Sequence, residues 1–251
     1  MQSDCDTATE RDDYVKNLME FIPVDSYGVC LRNKELPFGG VYKYSESDGA
    51  NRNYLNNLFD DQLLSFMAKY KFIVSIENGI CNDYVTEKLW RPLEIGVVPI
   101  YYGSPLIRDW LPNNKSAILL EDFPTPELLS QHLHYLLNND TAYEEYLEHK
   151  TLGLIANQRL IHEATEGPNQ SDFNEMMQEF QCFVCGRLYG RNNSEVQTVT
   201  RDHYDCPLPY SALTQSVNPD NKWVKIIADA EESANRMYEE VLNSTLQLRV
   251  A

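Results

Sequence analysis

Apolar residues recur at helical spacing near the start of the chain. Residues 9–22, TERDDYVKNLMEFI, put Tyr14, Val15, Leu18, Met19 and Ile22 at i, i+1, i+4, i+5 and i+8, one face of an amphipathic helix. VDSYGV, 24–29, is short and β-like. Residues 33–57 are rich in Asn, Gly and Tyr without a period and read as loop. DDQLLSFMAKY, 60–70, reads as a helix with acidic residues at its positive end. The pattern then changes. FIVSI, 72–76, is a continuous apolar run of the buried-strand kind. A polar loop, 77–83, follows it. Asp83 is placed to cap a helix over 84–95, Gly96 to end it, and VVPIYYG, 97–103, to form a second strand. Strand, loop, helix and strand in that order predict a βαβ unit with parallel strands. AILL, 117–120, reads as a third strand. TPELLSQHLHYLL, 125–137, reads as a helix with Pro126 in its first turn, and TAYEEYLEHK, 141–150, as another. His132 and His134 fall on the surface of the first of these.

Strands alternating with helices predict an α/β fold with an open, Rossmann-like sheet. In such sheets ligands bind beyond the carboxyl ends of the strands, where the loop 77–83 and the start of the next helix lie. From about 171 the character changes to Cys182, Cys185, Cys206, turn residues and one good helix over 222–246, read as a bracing helix. The expected division is a nucleotide-binding domain over 1–170, its first strand cut short, and a Cys-containing extension over 171–251.

Charge narrows the chemistry. The formal net charge is -17, from 38 acidic and 21 basic residues. A surface this acidic repels phosphate backbones, which argues against nucleic acid as a partner. Any phosphate must therefore be met locally, by a few cations and backbone amides. The opening residues MQSDCDTATE carry no apolar stretch of the signal or anchor kind, and no later run approaches the ~20 apolar residues of a membrane span. Against a cytosolic reading stand six cysteines and five Asn-X-Ser/Thr glycosylation candidates, Asn114, Asn139, Asn169, Asn192 and Asn243. The spacing Cys182-X2-Cys185 with His203-X2-Cys206 offers a four-ligand zinc set as an alternative, but in an oxidising lumen the same cysteines form disulfides. Cys5, Cys30 and Cys81 have no assigned partners.

The polar motif itself has a physical reading. Glu77 and Asn78 leave a strand end, and Glu87 and Lys88 occupy the first turn of the next helix. A helix amino end with a neighbouring ammonium suits a diphosphate, and a carboxylate beside it suits the vicinal hydroxyls of a ribose. Tyr84 is placed to stack on a base or to order the loop. On spacing alone Glu87 and Lys88 are equally a solvated surface pair, and Glu77 a buried structural acid.

The tract YKFIVSIENGICNDYVTEKLW, 70–90, with VVPIYYG, 97–103, resembles the signature of the α1,3-fucosyltransferases, glycosyltransferase family ten. The matching positions are Tyr70, Lys71, Phe72, Glu77, Asn78, Asp83, Tyr84, Val85, Thr86, Glu87, Lys88, Val98, Pro99 and Gly103. Weaker similarity runs from about 11 to 150. Ile76 before Glu77-Asn78, and Arg91-Pro92, resemble a divergent animal branch of the endoplasmic reticulum. The resemblance implies the donor-binding half of a GT-B glycosyltransferase, two Rossmann-like domains facing across a cleft. It implies GDP-fucose as donor, with Glu87 on the ribose, Lys88 on the diphosphate, Asn78 and Tyr84 lining the site beside Glu77, and Arg11 facing the phosphates. It further implies an inverting transfer of fucose without cofactor or required metal, to a glycan or to a protein hydroxyl, in the lumen of the Golgi or endoplasmic reticulum. Related enzymes carry a carboxyl-terminal Cys-X2-Cys in disulfides bracing the two domains. The family's catalytic base, acceptor groove and amino-terminal membrane anchor belong to a domain for which these residues leave no room. The expectation is thus a fragment that transfers no fucose alone; an idle nucleotide-sugar-binding remnant and a zinc-stabilised interaction module are the alternatives.

Overall fold

A computed structural model describes residues 4–38, 60–165, 173–190, 198, 200 and 206–250. Three strands form a parallel sheet in the order β1-β2-β3: β1 (Phe72–Ile76), β2 (Val98–Tyr102) and β3 (Ile118–Leu119). Phe72 lies opposite Val98, Ile76 opposite Tyr102, and Ile100 opposite Ile118. The described helices are α1 (Arg11–Leu18), α2 (Asp61–Met67), α3 (Glu87–Ile95), α4 (Pro126–Leu137), α5 (Asp140–Glu144), α6 (Glu148–Thr151), α7 (Gln158–Thr165), α8 (Phe173–Tyr189) and α9 (Lys222–Val250).

The period of two along β2 sorts its side chains onto two faces. Val98 and Ile100 join Ile76 and Ile118 in a core with Tyr14 and Leu18 of α1 and Leu129, Leu133 and Leu136 of α4. Tyr101 and Leu119 point the other way, onto Leu89 and Leu93 of α3 and onto Ile107 and Leu111. Helices on both faces make a three-layer α/β unit, so the expected fold class and the parallel β1-α3-β2 crossover are present.

Several boundaries differ from the pattern-based expectation. Residues 24–29 form no strand. The Ser26 amide is taken by Asn33 Oδ1 at 2.8 Å and its carbonyl by the amides of Asn33 and Lys34, so the segment closes on itself. The third strand shrinks to two residues because Leu120–Asp122 turns into a 3-10 helix. The stretch 141–150 is broken by a 3-10 turn at Glu145–Leu147. The region of Cys182 and Cys185 is a 17-residue helix rather than turns. Residues 33–38 are irregular, and the rest of the expected loop, with Tyr42, Tyr44 and Tyr54, lies outside the described residues.

Residues 206–221 return from the far end of the chain to the carboxyl edge of the sheet. Ala212 is fully buried in the α1–α4 core. Its amide donates to the Thr9 carbonyl at 2.8 Å, Gln215 Nε2 donates to the carbonyls of Leu120 and Phe123, and Asn221 Nδ2 donates to the Ala8 carbonyl at 2.9 Å. The Cys81–Cys206 disulfide ties this segment to the loop after β1, and a second, Cys5–Cys30, joins two amino-terminal segments. Among the described residues no helix is long and apolar enough to cross a membrane.

Two histidines give the fold a pH dependence. His132 is half-buried, not on the open surface, tilted against Phe123 with Nε2 3.0 Å from Tyr146 Oη. His149 Nε2 donates to the Leu93 carbonyl, and its Nδ1 is buried without a partner. Burial lowers both below the ordinary imidazole value of 6.5. The unfolded chain then binds more protons than the folded one near that value, so stability is full above it and lost as pH falls through the folded-state values. Urea midpoints are expected to fall between pH 7 and pH 5. The double variant His132→Gln/His149→Gln is expected to flatten that slope, and an unchanged slope counts against the assignment.

Candidate functional site

The site is built where β1 and β2 end. Beyond Ile76 the Glu77 amide still bonds the Tyr102 carbonyl at 2.8 Å, so the sheet register carries Glu77 to the strand end opposite Gly103. The Glu77 side chain is 0% exposed. Its carboxylate accepts from the Thr86 amide at 2.8 Å, from Thr86 Oγ1 at 2.8 and 2.9 Å, and from Lys88 Nζ at 3.0 Å. A buried carboxylate persists only when its lone pairs are met and its charge is balanced, and here Thr86 and Lys88 do both. Gly103 makes room for it. A Cβ at that position would lie 2.6 Å from Glu77 Cγ and 2.6 Å from Tyr101 Oη.

Helix α3 starts three residues later than expected. Asp83 is not its cap: it takes a left-handed φ of 58° and its carboxylate accepts from Trp110 Nε1 at 2.8 Å. The cap is Thr86, extended, whose Oγ1 accepts from the Lys88 amide. The Leu89 amide closes on the Thr86 carbonyl. The amides of Thr86, Lys88 and Leu89 are thus already bonded within the protein. An anion here must be met chiefly by side-chain cations, a shift of weight from the helix end to Lys88 and Arg11.

Lys88 sits between three oxygen groups: Glu77 Oε2, Thr86 Oγ1 at 3.0 Å, and Glu87 Oε1 at 3.7 Å. Its side chain keeps 22% exposure while Glu77 has none, so the ammonium stands between the carboxylate and the open side of the site. Glu87 is braced from behind by Arg91, whose NH2 lies 3.4 Å from Glu87 Oε1 and whose Nε donates to the Glu87 carbonyl.

Arg11, at the start of α1, is 4% exposed. NH1 donates to Asn78 Oδ1 at 2.6 Å and NH2 to the Asp4 carbonyl at 2.8 Å. Nε is buried without a partner. Burial lowers the guanidinium below its usual value, while Asp12, Asp4, Glu77 and Tyr84 act to raise it. The Tyr84 hydroxyl, on an exposed loop residue, is pushed up by burial and by Glu77 and Glu87, and pulled back by Arg11. All six residues singled out from the sequence, Arg11, Glu77, Asn78, Tyr84, Glu87 and Lys88, therefore meet at one edge. Four further residues hold them: Thr86, Gly103 and Arg91, which the sequence offers as positions of the resemblance without a role in the site, and Thr9, whose Oγ1 donates to the Glu77 carbonyl at 2.7 Å. A threonine directly before Glu87-Lys88 is an N-cap signature and was the available signal.

The zinc set does not assemble. Cys206 is bonded to Cys81, so its thiolate is no longer available; Cys182 and Cys185 are exposed free thiols on α8, and His203 lies outside the described residues. The disulfides that the resemblance implies for the Cys182-X2-Cys185 pair are not formed here either, both thiols being free. Among the described residues the one cluster of metal-ligand type is Cys5, Asp12 and Cys30, and its sulfurs are joined to each other. Of the glycosylation candidates, Asn114 lies exposed in a turn and Asn243 exposed on α9. Asn139 caps α5, its Oδ1 accepting from the Ala142 amide at 3.0 Å. Asn169 and Asn192 lie outside the described residues. A separate concavity of about 640 Å³ is lined by Arg108, Lys115, Glu145 and Arg159. Its cations already face carboxylates, Arg108 on Glu121 and Asp122, Lys115 on Glu145, Arg159 on Asp109, and it collects none of the motif residues.

Residues 1–202 match the family model described as glycosyltransferase family 10 (fucosyltransferase), carboxyl-terminal part. The chain is 43% identical over 214 residues to alpha-(1,3)-fucosyltransferase B of Drosophila melanogaster, covering 83% of this chain and 46% of that protein. It is 45% identical over 192 residues to GDP-fucose protein O-fucosyltransferase 3 of Homo sapiens, covering 75% and 38%. The chain thus spans less than half the length of these curated relatives. A solved α1,3-fucosyltransferase with GDP-fucose superposes with a TM-score of 0.48 at 20% identity, over 77% of this chain and 47% of that one. With a family match across four-fifths of its residues, the chain belongs to glycosyltransferase family 10, the fucosyltransferases.

Proposed function

We propose that this chain is the donor-binding half of an enzyme that transfers L-fucose from GDP-fucose, with inversion, to an acceptor hydroxyl. One observation carries the reading. At the carboxyl edge of a parallel sheet, Lys88 is held on buried Glu77 with Glu87, Tyr84, Asn78 and Arg11 around it. Lys88 and Arg11 meet the diphosphate, Glu87 takes the ribose hydroxyls, and Asn78 and Tyr84 line the donor site. The donor-binding domain extends over 1–170 and the Cys-containing remainder over 171–251.

In the transfer, the acceptor oxygen bonds to the anomeric carbon as the bond to the diphosphate breaks. The acceptor proton passes to a carboxylate base, and GDP leaves with the electron pair. Negative charge grows on the leaving diphosphate, so cations fixed in advance at its position stabilise the transition state more than the ground state. Lys88 is fixed by Glu77 and Thr86, and Arg11 by Asn78 and Asp4. The reaction as written needs no metal. The base, the acceptor groove and a membrane anchor are assigned to the amino-terminal domain that the family resemblance implies for a GT-B enzyme. Two disulfides support a luminal site of action, in the Golgi or endoplasmic reticulum, since such bonds persist in oxidising compartments. The acceptor is a glycan or a protein hydroxyl. Relatives named for α1,3-fucosyl transfer and for protein O-fucosylation support either.

The test compares GDP with guanosine by calorimetric titration. Lys88→Ala is expected to weaken GDP by about 1.5–3 kcal/mol, the range of a charge-assisted contact, and to leave guanosine unchanged. Equal affinities of wild type and variant for GDP would remove Lys88 from the site.

A further inference from the structure

We infer that the Cys81–Cys206 disulfide, with the strap 206–212, is a positioning element of the donor site: it holds the loop that carries Asn78 and Tyr84 in its binding geometry. The inference rests on the proposed donor reading.

The loop between β1 and α3 is fixed unevenly. Its far end is tied down, with the Asp83 amide on Ser104 Oγ at 3.2 Å, the Asp83 carboxylate on Trp110 and the Tyr84 carbonyl facing Tyr101 Oη. Its near end is tied by Asn78 to Arg11. Between them, a Cβ added at Gly79 would meet nothing within 4 Å, so that stretch has open space on one side. The attachment across it is the bond from Cys81 to Cys206, joining residues 125 apart in sequence. The Tyr84 amide then hangs from the Cys81 carbonyl at 3.2 Å, so displacement of Cys81 passes directly to Tyr84.

The other end of the disulfide is not a loose tail. Six residues past Cys206, Ala212 is buried in the core and its amide is bonded to the Thr9 carbonyl. Thr9 Oγ1 in turn donates to the Glu77 carbonyl. Tyr102 Oη, from the end of β2, reaches the Ser211 carbonyl at 3.4 Å. Strap, Thr9, Glu77, loop and disulfide therefore form a closed ring, and Arg11 is bonded to Asn78 of that loop. Removing one link opens the ring while leaving the core contacts of Ala212 and Gln215 in place. A loop freed in this way must be ordered again on binding, which lowers affinity.

Linkage supplies a readout that a purely structural bond would not move. If the disulfide-bonded form binds GDP more tightly by some factor, GDP must favour that form over the reduced one by the same factor. The experiment uses the full chain. GDP affinity is measured for wild type and for Cys81→Ser/Cys206→Ser. In parallel, wild type is equilibrated with dithiothreitol at graded concentrations, with and without saturating GDP, and free thiols at each cysteine are trapped and quantified by mass spectrometry. The expected results are a loss of about tenfold in GDP affinity for the variant, and a shift of similar size in the reduction midpoint of Cys81–Cys206. A variant that binds GDP as wild type does, with a midpoint unmoved by GDP, overturns the inference and leaves the donor reading standing. Wild type that binds no GDP overturns the donor reading and the inference with it. If the double variant does not fold, the wild-type midpoint shift decides alone.

Discussion

Glu77→Ala is expected to destabilise the folded chain by about 3–5 kcal/mol, the range for removing one partner of a buried ion pair. The reason lies in what the carboxylate satisfies. Three groups converge on it: the Thr86 amide, the Thr86 hydroxyl and the Lys88 ammonium. Truncation leaves an amide without its acceptor at the start of α3 and an ammonium facing a cavity. A salt bridge of this kind adds little relative to a well-packed apolar pair, so the loss measures orphaned groups rather than the worth of the bridge. Glu77→Gln keeps an acceptor for Thr86 while removing the charge, and should lose less. Urea unfolding of both variants reads the difference. A loss below about 1 kcal/mol for Glu77→Ala would mean that the pocket rearranges, and that Glu77 does not organise Lys88.

Gly103→Ala is expected to cost about 1–3 kcal/mol, as overpacking does, although it adds a single methyl group. Most Gly→Ala changes reduce the freedom of the unfolded chain and stabilise when space allows. Here the added carbon would fall 2.6 Å from Glu77 Cγ and 2.6 Å from Tyr101 Oη, both on fully buried side chains. Something must move, and the nearest thing able to move is the carboxylate that holds Lys88. Lower GDP affinity should therefore accompany the lower stability. Gly79→Ala serves as the contrast, because nothing lies within 4 Å of the atom it adds. Equal stability of the two variants would contradict the close approach at Gly103.

The sequence made the central βαβ unit legible because its signals are local. FIVSI and VVPIYY are continuous apolar runs, Gly96 takes the left-handed conformation at the end of α3, and the parallel pairing of the two strands follows from the crossover. The gathering of Arg11 with residues 77–88 was legible only through family resemblance, since nothing local joins residues 67 apart such as Arg11 and Asn78. The helix start was missed for a physical reason. Asp83 and Thr86 are both good caps by type, and Asp83 lost because Trp110 Nε1 claims its carboxylate across 27 residues. The cysteines show the same limit. Their spacing suggested Cys182, Cys185 and Cys206 as one group, yet the strap docks Cys206 beside Cys81, a choice made by Ala212 burying itself next to Thr9 rather than by spacing. Segment 24–29 had strand-like residues, but Asn33 satisfied its backbone first.

Hydrogen exchange of the 251-residue chain with and without saturating GDP bears most directly on the nucleotide site. Slower exchange is predicted for the amides of 77–88 and of 4–11, with the rest of the sheet unchanged. Protection that appears elsewhere, such as around Arg108 and Arg159, or none at all, would contradict the placement of a guanine nucleotide at the carboxyl ends of β1 and β2.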